Sequence, residues 1–196
     1  MVEWDDRKKL GRVFYLRQTV QVARDLPGCI LVRKTEKGDV YSGIITETEA
    51  YTGPEDTACH TSRGLTDRNQ IMFEAGGLAY IYFIYGLHSM LNAVTEEEGK
   101  GCAVLIRSVE PTCGKDLMLK NRKGRYPLAT GPARLTQAFN ITRELNGTDM
   151  VTSDILYICK GIKATDDRII RTPRIGIDYA KPEDRKALLR FILKPR

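Results

Sequence analysis

The chain has 196 residues with 42% hydrophobic and 29% charged side chains, a balance typical of one soluble globular domain, which we predict over residues 1–196. Its formal net charge of +6 favours a polyanionic partner, although a solvated basic surface explains the same composition. No apolar run approaches the roughly 20 residues that cross a bilayer, and no signal-peptide core follows Met1, so neither a membrane protein nor a secreted one is expected.

The first third of the chain predicts a helix, a β-hairpin and a long loop. Residues 19–26 begin with a capping threonine and stop at a Pro-Gly pair, which is typical of a short helix. Residues 29–33 and 40–46 are rich in β-branched side chains and flank a turn-like tetrapeptide, so we predict two paired strands. Residues 57–69 are polar and predict a functional loop.

The middle of the chain predicts a second hairpin followed by a buried strand. Residues 78–84 and 87–94 are strand-like, and Tyr85-Gly86 lies at the turn between them, where glycine supplies a positive φ. Residues 103–109 form a continuous apolar run with one arginine, which indicates a buried strand.

The remaining residues predict two helices and several short strands. One helix is expected to begin near Glu110-Pro111 and the other at residues 130–132, where a proline suits a first helical turn. Short strands are expected at residues 155–159, 174–177 and 188–193. The predicted fold class is mixed α/β (α+β), with a curved, largely antiparallel β-sheet surrounded by helices and a protruding β-hairpin.

Cysteine and histidine usage argues against disulfide and metal chemistry. The five cysteines are odd in number and scattered, so we predict reduced thiols and a cytoplasmic protein, near the nucleoid in a prokaryote or nuclear in a eukaryote. His60 and His88 are the two histidines and no CxxC pair occurs, so no metal site is predicted.

Two segments carry residues suited to chemistry. Glu47, Glu49 and Tyr51 alternate along one predicted strand, and a carboxylate beside an aromatic ring can activate water against an electrophilic sugar carbon. Alternating acids on a solvated strand edge are the simpler explanation of this segment alone. The second segment has tyrosines at 80, 82 and 85, and a tyrosine at a hairpin tip can wedge into a base stack. Ordinary strand composition is the alternative.

Taken together, these segments resemble the alkyladenine DNA glycosylase family, also called 3-methyladenine or methylpurine DNA glycosylases. The resemblance covers nearly the whole chain in ordered blocks. These include residues 22–26, 47–51, 53–56, 80–86, 105–107, 131–132 and 174–176. Departures from the family pattern at Pro27, Ser89 and Met90 affect none of the expected catalytic positions.

The resemblance implies base excision repair: an alkylated or deaminated purine is flipped out of duplex DNA and its N-glycosidic bond is hydrolysed. The expected substrates are 3-methyladenine, 7-methylguanine, hypoxanthine and ethenoadenine, and the product is an abasic site. Glu49 matches the catalytic base. The expected substrate-binding positions are Tyr51, His60 and Tyr82, which hold the flipped base, Asn92, which crowds the amino group of guanine, and Arg107, which holds the nucleotide.

The resemblance also implies contacts with the DNA itself. Tyr85 matches the intercalating wedge, and Gly131 with Arg134 matches a contact to the phosphate backbone at a helix start. The expected partner is double-stranded DNA that contains damaged purines. No cofactor is expected, the simplest assembly is a monomer, and no lysine falls among the pocket positions, so lyase chemistry is not predicted.

Two other classes of function remain open at this point. A non-catalytic nucleic-acid-binding module would stack bases on the tyrosines and would not depend on Glu49. A glycoside hydrolase would use Glu47 and Glu49 as a pair, but residues two apart on a strand point the same way and cannot flank one bond.

Overall fold

The computed structural model describes residues 4–84 and 88–195. These residues form an antiparallel sheet of eight strands with five short helices around it. The two longest strands lie at its centre and pair with each other. The strands are β1 (Ile30–Lys34), β2 (Val40–Tyr51), β3 (Ala79–Ile84), β4 (His88–Thr95), β5 (Cys102–Cys113), β6 (Leu156–Cys159), β7 (Ile169–Thr172) and β8 (Arg190–Leu193).

The strand order places β2 between three neighbours. The sheet runs β3-β4-β5-β2-β1-β6. The strand β8 pairs with Glu47–Glu49 of β2 on the edge that β1 leaves free, and β7 lies outside β8. Since the β2 backbone at Glu47–Glu49 pairs with β5 on one side and β8 on the other, side chains there lie deep in the protein. The predicted curved antiparallel sheet is confirmed.

The helices are short and pack one face against the sheet. Their bounds are α1 (Arg12–Tyr15), α2 (Thr19–Asp25), α3 (Lys115–Asn121), α4 (Pro132–Ala138) and α5 (Pro182–Lys186). Val22 and Leu135 lie on the inner faces of α2 and α4, three or four residues from other buried positions, and join Ile45 and Ile106 of the sheet in the main core. Among the described residues, no helix has the length and apolar character needed to span a membrane.

Several predicted elements are confirmed with small changes in their bounds. The predicted helix at residues 19–26 is α2, the helix at residues 130–132 is α4, and the strand at residues 155–159 is β6. The strand predicted over residues 40–46 is longer than expected, because β2 continues to Tyr51. The two predicted hairpins are β1–β2 and β3–β4.

The helix predicted to begin near Glu110-Pro111 is wrong. These residues belong to β5, where Glu110 pairs with Ile44 and Pro111 with Gly43, and the helix α3 begins at Lys115. The pairing of β5 with β4 ends at Leu105, so this part of β5 is bordered by a neighbouring strand on one side. Proline is tolerated in such an edge position, because its missing N–H removes no ladder hydrogen bond.

The strand predicted over residues 174–177 is also wrong. The strand β7 ends at Thr172, and residues 174–177 follow an irregular path in which Gly176 has a φ of +76°. Contacts with distant residues determine this path. Arg174 is buried against Asp56, and the backbone N–H of Ile175 donates to Glu49. Because these partners lie far away in sequence, the apolar pattern of the segment did not reveal its conformation.

Candidate active site

A cavity of about 380 Å³ lies between alternate residues of β3, β4 and β5, the loop after β2 and the irregular segment after β7. Its size is that of a small-molecule site, and its lining is mainly aromatic and apolar with a few polar groups. All of the substrate-binding positions predicted from the sequence line it, namely Tyr51, His60, Tyr82, Asn92 and Arg107.

Glu49 lies directly behind the lining of this cavity. Its side chain is completely buried, and the three residues that donate hydrogen bonds to it, Tyr51, Arg107 and Ile175, all line the cavity. Tyr51 donates its hydroxyl to Oε2 at 3.0 Å, and Arg107 donates Nη1 to the same oxygen at 3.2 Å. The other carboxylate oxygen, Oε1, accepts the backbone N–H of Ile175 at 2.8 Å. A carboxylate oxygen can accept two hydrogen bonds, so Oε1 keeps capacity for one more donor, such as water.

A shift in strand register aims Arg107 at both glutamates. In the β2–β5 pair, Glu47 lies opposite Ser108 and Thr48 opposite Ile106, so the pairing skips Arg107. Such a bulge bends the strand and redirects the side chain of the extra residue. Arg107 Nε donates to Glu47 Oε1 at 2.8 Å, which leaves Nη2 as the part of its guanidinium that makes no hydrogen bond to the described residues.

The two glutamates have opposite electrostatic environments. Burial raises the pKa of Glu49, and the nearby charge of Arg107 only partly offsets this effect. Burial acts in the same direction on Glu47, but hydrogen bonds from Arg107 and Arg190 outweigh it and lower the pKa of Glu47 below its usual value. A pair of carboxyl groups whose environments separate their pKa values is the arrangement from which acid–base roles are assigned. Glu49 is the member suited to accept a proton.

Both carboxylates contact the same guanidinium, which contradicts the requirement of a carbohydrate hydrolase. In that class the substrate bond lies between the two carboxyl groups. Here Arg107 bridges Glu47 and Glu49, and Arg190 and Ser108 hold Glu47 further, at 2.6 and 2.9 Å. Glu47 is therefore a structural anchor for Arg107.

A buried ion pair attaches the segment after β7 to the loop after β2. Arg174 donates Nη1 to Asp56 Oδ2 at 2.5 Å and Nη2 to Asp56 Oδ1 at 2.8 Å, and both side chains are almost completely buried. Its guanidinium also lies 4.8 Å from the ring centroid of Tyr51. Asp56 in turn accepts the backbone N–H groups of Thr52 and Ala58. The pair therefore fixes Tyr51 and, through the neighbouring Ile175 amide, Glu49.

His60 and two tyrosines form the aromatic side of the cavity. The ring centroids of His60 and Tyr82 are 4.4 Å apart in an edge-on arrangement. The Nδ1 atom of His60 and the Tyr80 hydroxyl form a hydrogen bond of 3.0 Å. Burial, together with the charge of Arg68, lowers the pKa of His60 to about 4, so the ring is neutral at physiological pH. A neutral imidazole has one donor and one acceptor, and with Nδ1 engaged its other nitrogen is available to a ligand.

The loop that carries His60 is held by one buried amide. Asn69 donates Nδ2 to the carbonyls of His60 and Gly64 at 3.0 and 2.9 Å and accepts the N–H of Thr66 at 2.7 Å. The loop predicted over residues 57–69 is thus ordered by its own polar groups, and it contains a short 3₁₀ turn at His60–Arg63. Arg68, beside this anchor, lines the cavity.

Asn92 is a fixed part of the lining. It is almost completely buried on β4 and donates Nδ2 to the carbonyl of Tyr80 at 3.0 Å. Of the two departures from the family pattern on this strand, Met90 lines the cavity, whereas Ser89 lies outside its lining.

The residues expected to contact the DNA backbone lie at the start of α4. The Gly131 N–H already donates to Ser108 Oγ at 3.0 Å, and Pro132 has no N–H, so the Gly131 amide is not available to a phosphate. Arg134 is exposed and shares its surroundings with Arg122, whose pKa is lowered by burial and by the positive charges of Arg134 and Arg125. These three arginines form no ion pair with any carboxylate of the described residues.

Tyr85 lies outside the described residues, so its expected place at the hairpin tip stays a prediction. Among the described residues, Ile84 and His88 pair across β3 and β4. Within residues 4–84 and 88–195, no group of three histidine, cysteine, aspartate or glutamate side chains is arranged to hold a metal ion.

Some residues at the cavity have no function that the sequence predicts. Arg68, Ile175 and Tyr179 line the cavity, and the Tyr179 hydroxyl donates to the carbonyl of Ala58 at 3.0 Å. The sequence assigns Arg174 no role beyond its place in the family block at residues 174–176. No local pattern identified these roles, because Arg174 and its partner Asp56 are 118 residues apart in the sequence.

Comparison with known proteins finds similar sequences over most of the chain. The sequence profile of methylpurine-DNA glycosylase matches residues 13–196. The chain is 47% identical over 174 residues to a protein of Methanocella arvoryzae, a match that covers 87% of this chain and 86% of the relative. It is 46% identical over 187 residues to a protein of Legionella pneumophila strain Lens, which covers 95% of each chain. Both relatives are provisionally named 3-methyladenine DNA glycosylases.

Proposed function

Because the chain belongs to the methylpurine-DNA glycosylase family, we propose that it flips damaged purines out of double-stranded DNA and hydrolyses their N-glycosidic bonds. The proposed substrates are 3-methyladenine, 7-methylguanine, hypoxanthine and ethenoadenine. The product is an abasic site, and the enzyme has no lyase activity and acts as a monomer.

The observation that carries this proposal is a buried carboxylate behind a cavity lined by aromatic rings. Tyr51, His60 and Tyr82 offer ring faces and edges to a planar base, and an electron-poor alkylated purine gains roughly 0.5–2 kcal/mol from contact with such rings. Glu49 lies behind Tyr51 and Arg107, which line the cavity and donate hydrogen bonds to its carboxylate.

The proposed chemical step uses Glu49 as a general base. A water molecule bound at Oε1 gives a proton to Glu49 while its oxygen bonds to the anomeric carbon. The bond between that carbon and the purine nitrogen breaks, and its electron pair leaves with the purine. The negative charge of Glu49 also stabilises the positive charge that develops on the sugar. Arg107 orients Glu49 through Nη1 and presents Nη2 to the nucleotide.

The absence of lyase activity is proposed from the composition of the cavity. A lyase forms a Schiff base through an amine, and the cavity lining among the described residues contains no lysine. The exposed arginines at positions 125 and 134 are proposed to contact the DNA backbone, because neighbouring cations without carboxylate partners favour a polyanion.

Incubation with a duplex that contains one hypoxanthine or ethenoadenine tests the proposal. The expected result is release of the free base and a strand that stays intact until alkali cleaves it at the lesion. A strand that breaks before alkali treatment would indicate lyase activity. A duplex that remains alkali-resistant with every proposed lesion would exclude glycosylase activity on them.

Asn92→Ser is expected to relax the rejection of guanine. Asn92 is fixed by its bond to the Tyr80 carbonyl and cannot easily move away from an extra amino group. Removing it should raise the excision of guanine from mispairs, relative to hypoxanthine, by about tenfold, the scale on which pocket shape discriminates one small group. Ser89→Ala is the control on the same strand outside the cavity, and equal guanine-to-hypoxanthine ratios in the two variants would contradict this role.

The pH dependence of excision is expected to report Glu49. A general base must be ionised, so the rate rises with pH through the pKa of Glu49, which burial raises above its ordinary value of 4.5. Arg107 lowers this pKa and Glu47 raises it. In pH profiles of single-turnover rates, Arg107→Gln should therefore move the acid limb to higher pH and Glu47→Gln to lower pH. Shifts of the same sign in both variants would contradict the assignment.

A further inference from the structure

Arg68 is an uncompensated positive charge at the cavity. Two charged side chains line the cavity among the described residues, and the other one, Arg107, is neutralised by Glu47 and Glu49. Arg68 forms no ion pair with a carboxylate of residues 4–84 or 88–195. Its charge acts on His60, which also lines the cavity: burial lowers the pKa of His60, and the positive charge of Arg68 lowers it further.

Specific contacts hold this charge in place. Arg68 donates Nη2 to the carbonyl of Phe83 at 3.1 Å, and its guanidinium carbon lies 5.3 Å from the ring centroid of Tyr82. The neighbouring Asn69 fixes the backbone of the loop from the other side. The cation therefore lies beside the ring that is proposed to contact the flipped base.

We propose that Arg68 sets the preference of the cavity between cationic and neutral lesions, in favour of the neutral ones. This inference rests on the proposed function. A base methylated at a ring nitrogen, such as 7-methylguanine, is positively charged in DNA and leaves as a neutral molecule. Hypoxanthine is neutral in DNA and leaves as an anion that then takes up a proton. At each stage the two bases differ by one unit of charge, and a fixed cation beside them favours the more negative one.

The charge difference between the two lesions affects two kinetic quantities differently. The second-order rate constant compares the transition state with free DNA, so the one-unit difference between the lesions appears in full in the ratio of their kcat/KM values. The maximal single-turnover rate compares two bound stages of the same lesion, and the charge on the base changes by one unit in both cases. Loss of Arg68 should therefore alter the ratio of kcat/KM values while changing both maximal rates by a similar factor.

The test compares Arg68→Gln with the parent protein on duplexes that contain one 7-methylguanine or one hypoxanthine. The ratio of kcat/KM for 7-methylguanine to that for hypoxanthine is expected to rise by about threefold to tenfold. Coulomb's law gives this change for unit charges about 3–6 Å apart that are screened as strongly as in bulk water, and Arg68 is exposed to solvent. Arg68→Lys keeps the charge and should stay close to the parent ratio. Arg63→Gln is the matched control, because Arg63 is an exposed arginine of the same loop outside the cavity lining.

Each outcome decides the inference. If Arg68 only contacts phosphate, Arg68→Gln lowers kcat/KM for both lesions equally, and an unchanged ratio overturns the proposal. A ratio that changes equally in Arg68→Lys and Arg68→Gln also overturns it, because charge is then not the cause. Failure of the parent protein to excise any of the lesions would instead refute the proposed function, which the duplex assay detects separately.

Discussion

Glu49→Gln is expected to lower the single-turnover rate of excision by about 10²–10⁴-fold, the usual contribution of a positioned general base. A glutamine side chain retains the size of Glu49 and can still accept the bonds from Tyr51 and Arg107 at one oxygen. It cannot take a proton from water or offset charge on the sugar. Binding to a lesion duplex, measured by fluorescence anisotropy, should remain within a few-fold of the parent protein.

The control for this variant is Glu47→Gln on the same strand. Glu47 acts through Arg107 and Arg190 and makes no contact with the cavity, so its loss should cost far less activity than that of Glu49. If Glu49→Gln excised lesions at the parental rate while binding DNA normally, Glu49 would not be the base. The role would then have to be sought at Glu47 or His60.

Asp56→Asn is expected to lower the free energy of unfolding by about 3–5 kcal/mol, because it leaves the buried Arg174 without its counter-charge. Both carboxylate oxygens of Asp56 accept bonds from the guanidinium, and neither side chain has appreciable contact with solvent. Urea unfolding followed by circular dichroism measures the change. The buried pair also supports Tyr51 and the Ile175 amide, so excision should fall at temperatures where the variant is still folded.

An exposed ion pair in the same region provides the matched control. Arg185 Nη2 lies 3.9 Å from Asp178 Oδ1. Because the two side chains are 48% and 95% exposed, solvent screens the attraction between them. Asp178→Asn should leave the free energy of unfolding almost unchanged. A loss in Asp56→Asn no larger than that in Asp178→Asn would show that the Arg174–Asp56 pair does not hold the site together.

The extent to which the fold could be predicted follows from how local each signal is. The hairpins, α2 and α4 were predicted because alternation, capping residues and proline position act over a few residues. The segment at Glu110-Pro111 was misread because proline suits both a helix start and an unpaired strand edge. The choice between them depends on where β4 stops pairing with β5, which no residue near position 110 specifies.

Part of the candidate site could be predicted from the sequence and part could not. Glu49, Tyr51 and His60 were selected from the sequence because their residue types match a family pattern, and the structure gathers them around one cavity. The backbone amide that holds Glu49 belongs to Ile175, whose side chain has no bearing on that bond. Support that comes from a backbone group 126 positions away leaves no signal in residue type, so it could be found only from the structure.

The crystal structure of Glu49→Gln bound to a duplex that contains one ethenoadenine tests the proposed site most directly. The modified base is expected to be extruded from the duplex and to lie in the cavity between Tyr51 and the rings of His60 and Tyr82, with its sugar facing residue 49. A base that remains stacked in the duplex, or one that occupies another part of the protein surface, would contradict the proposed site.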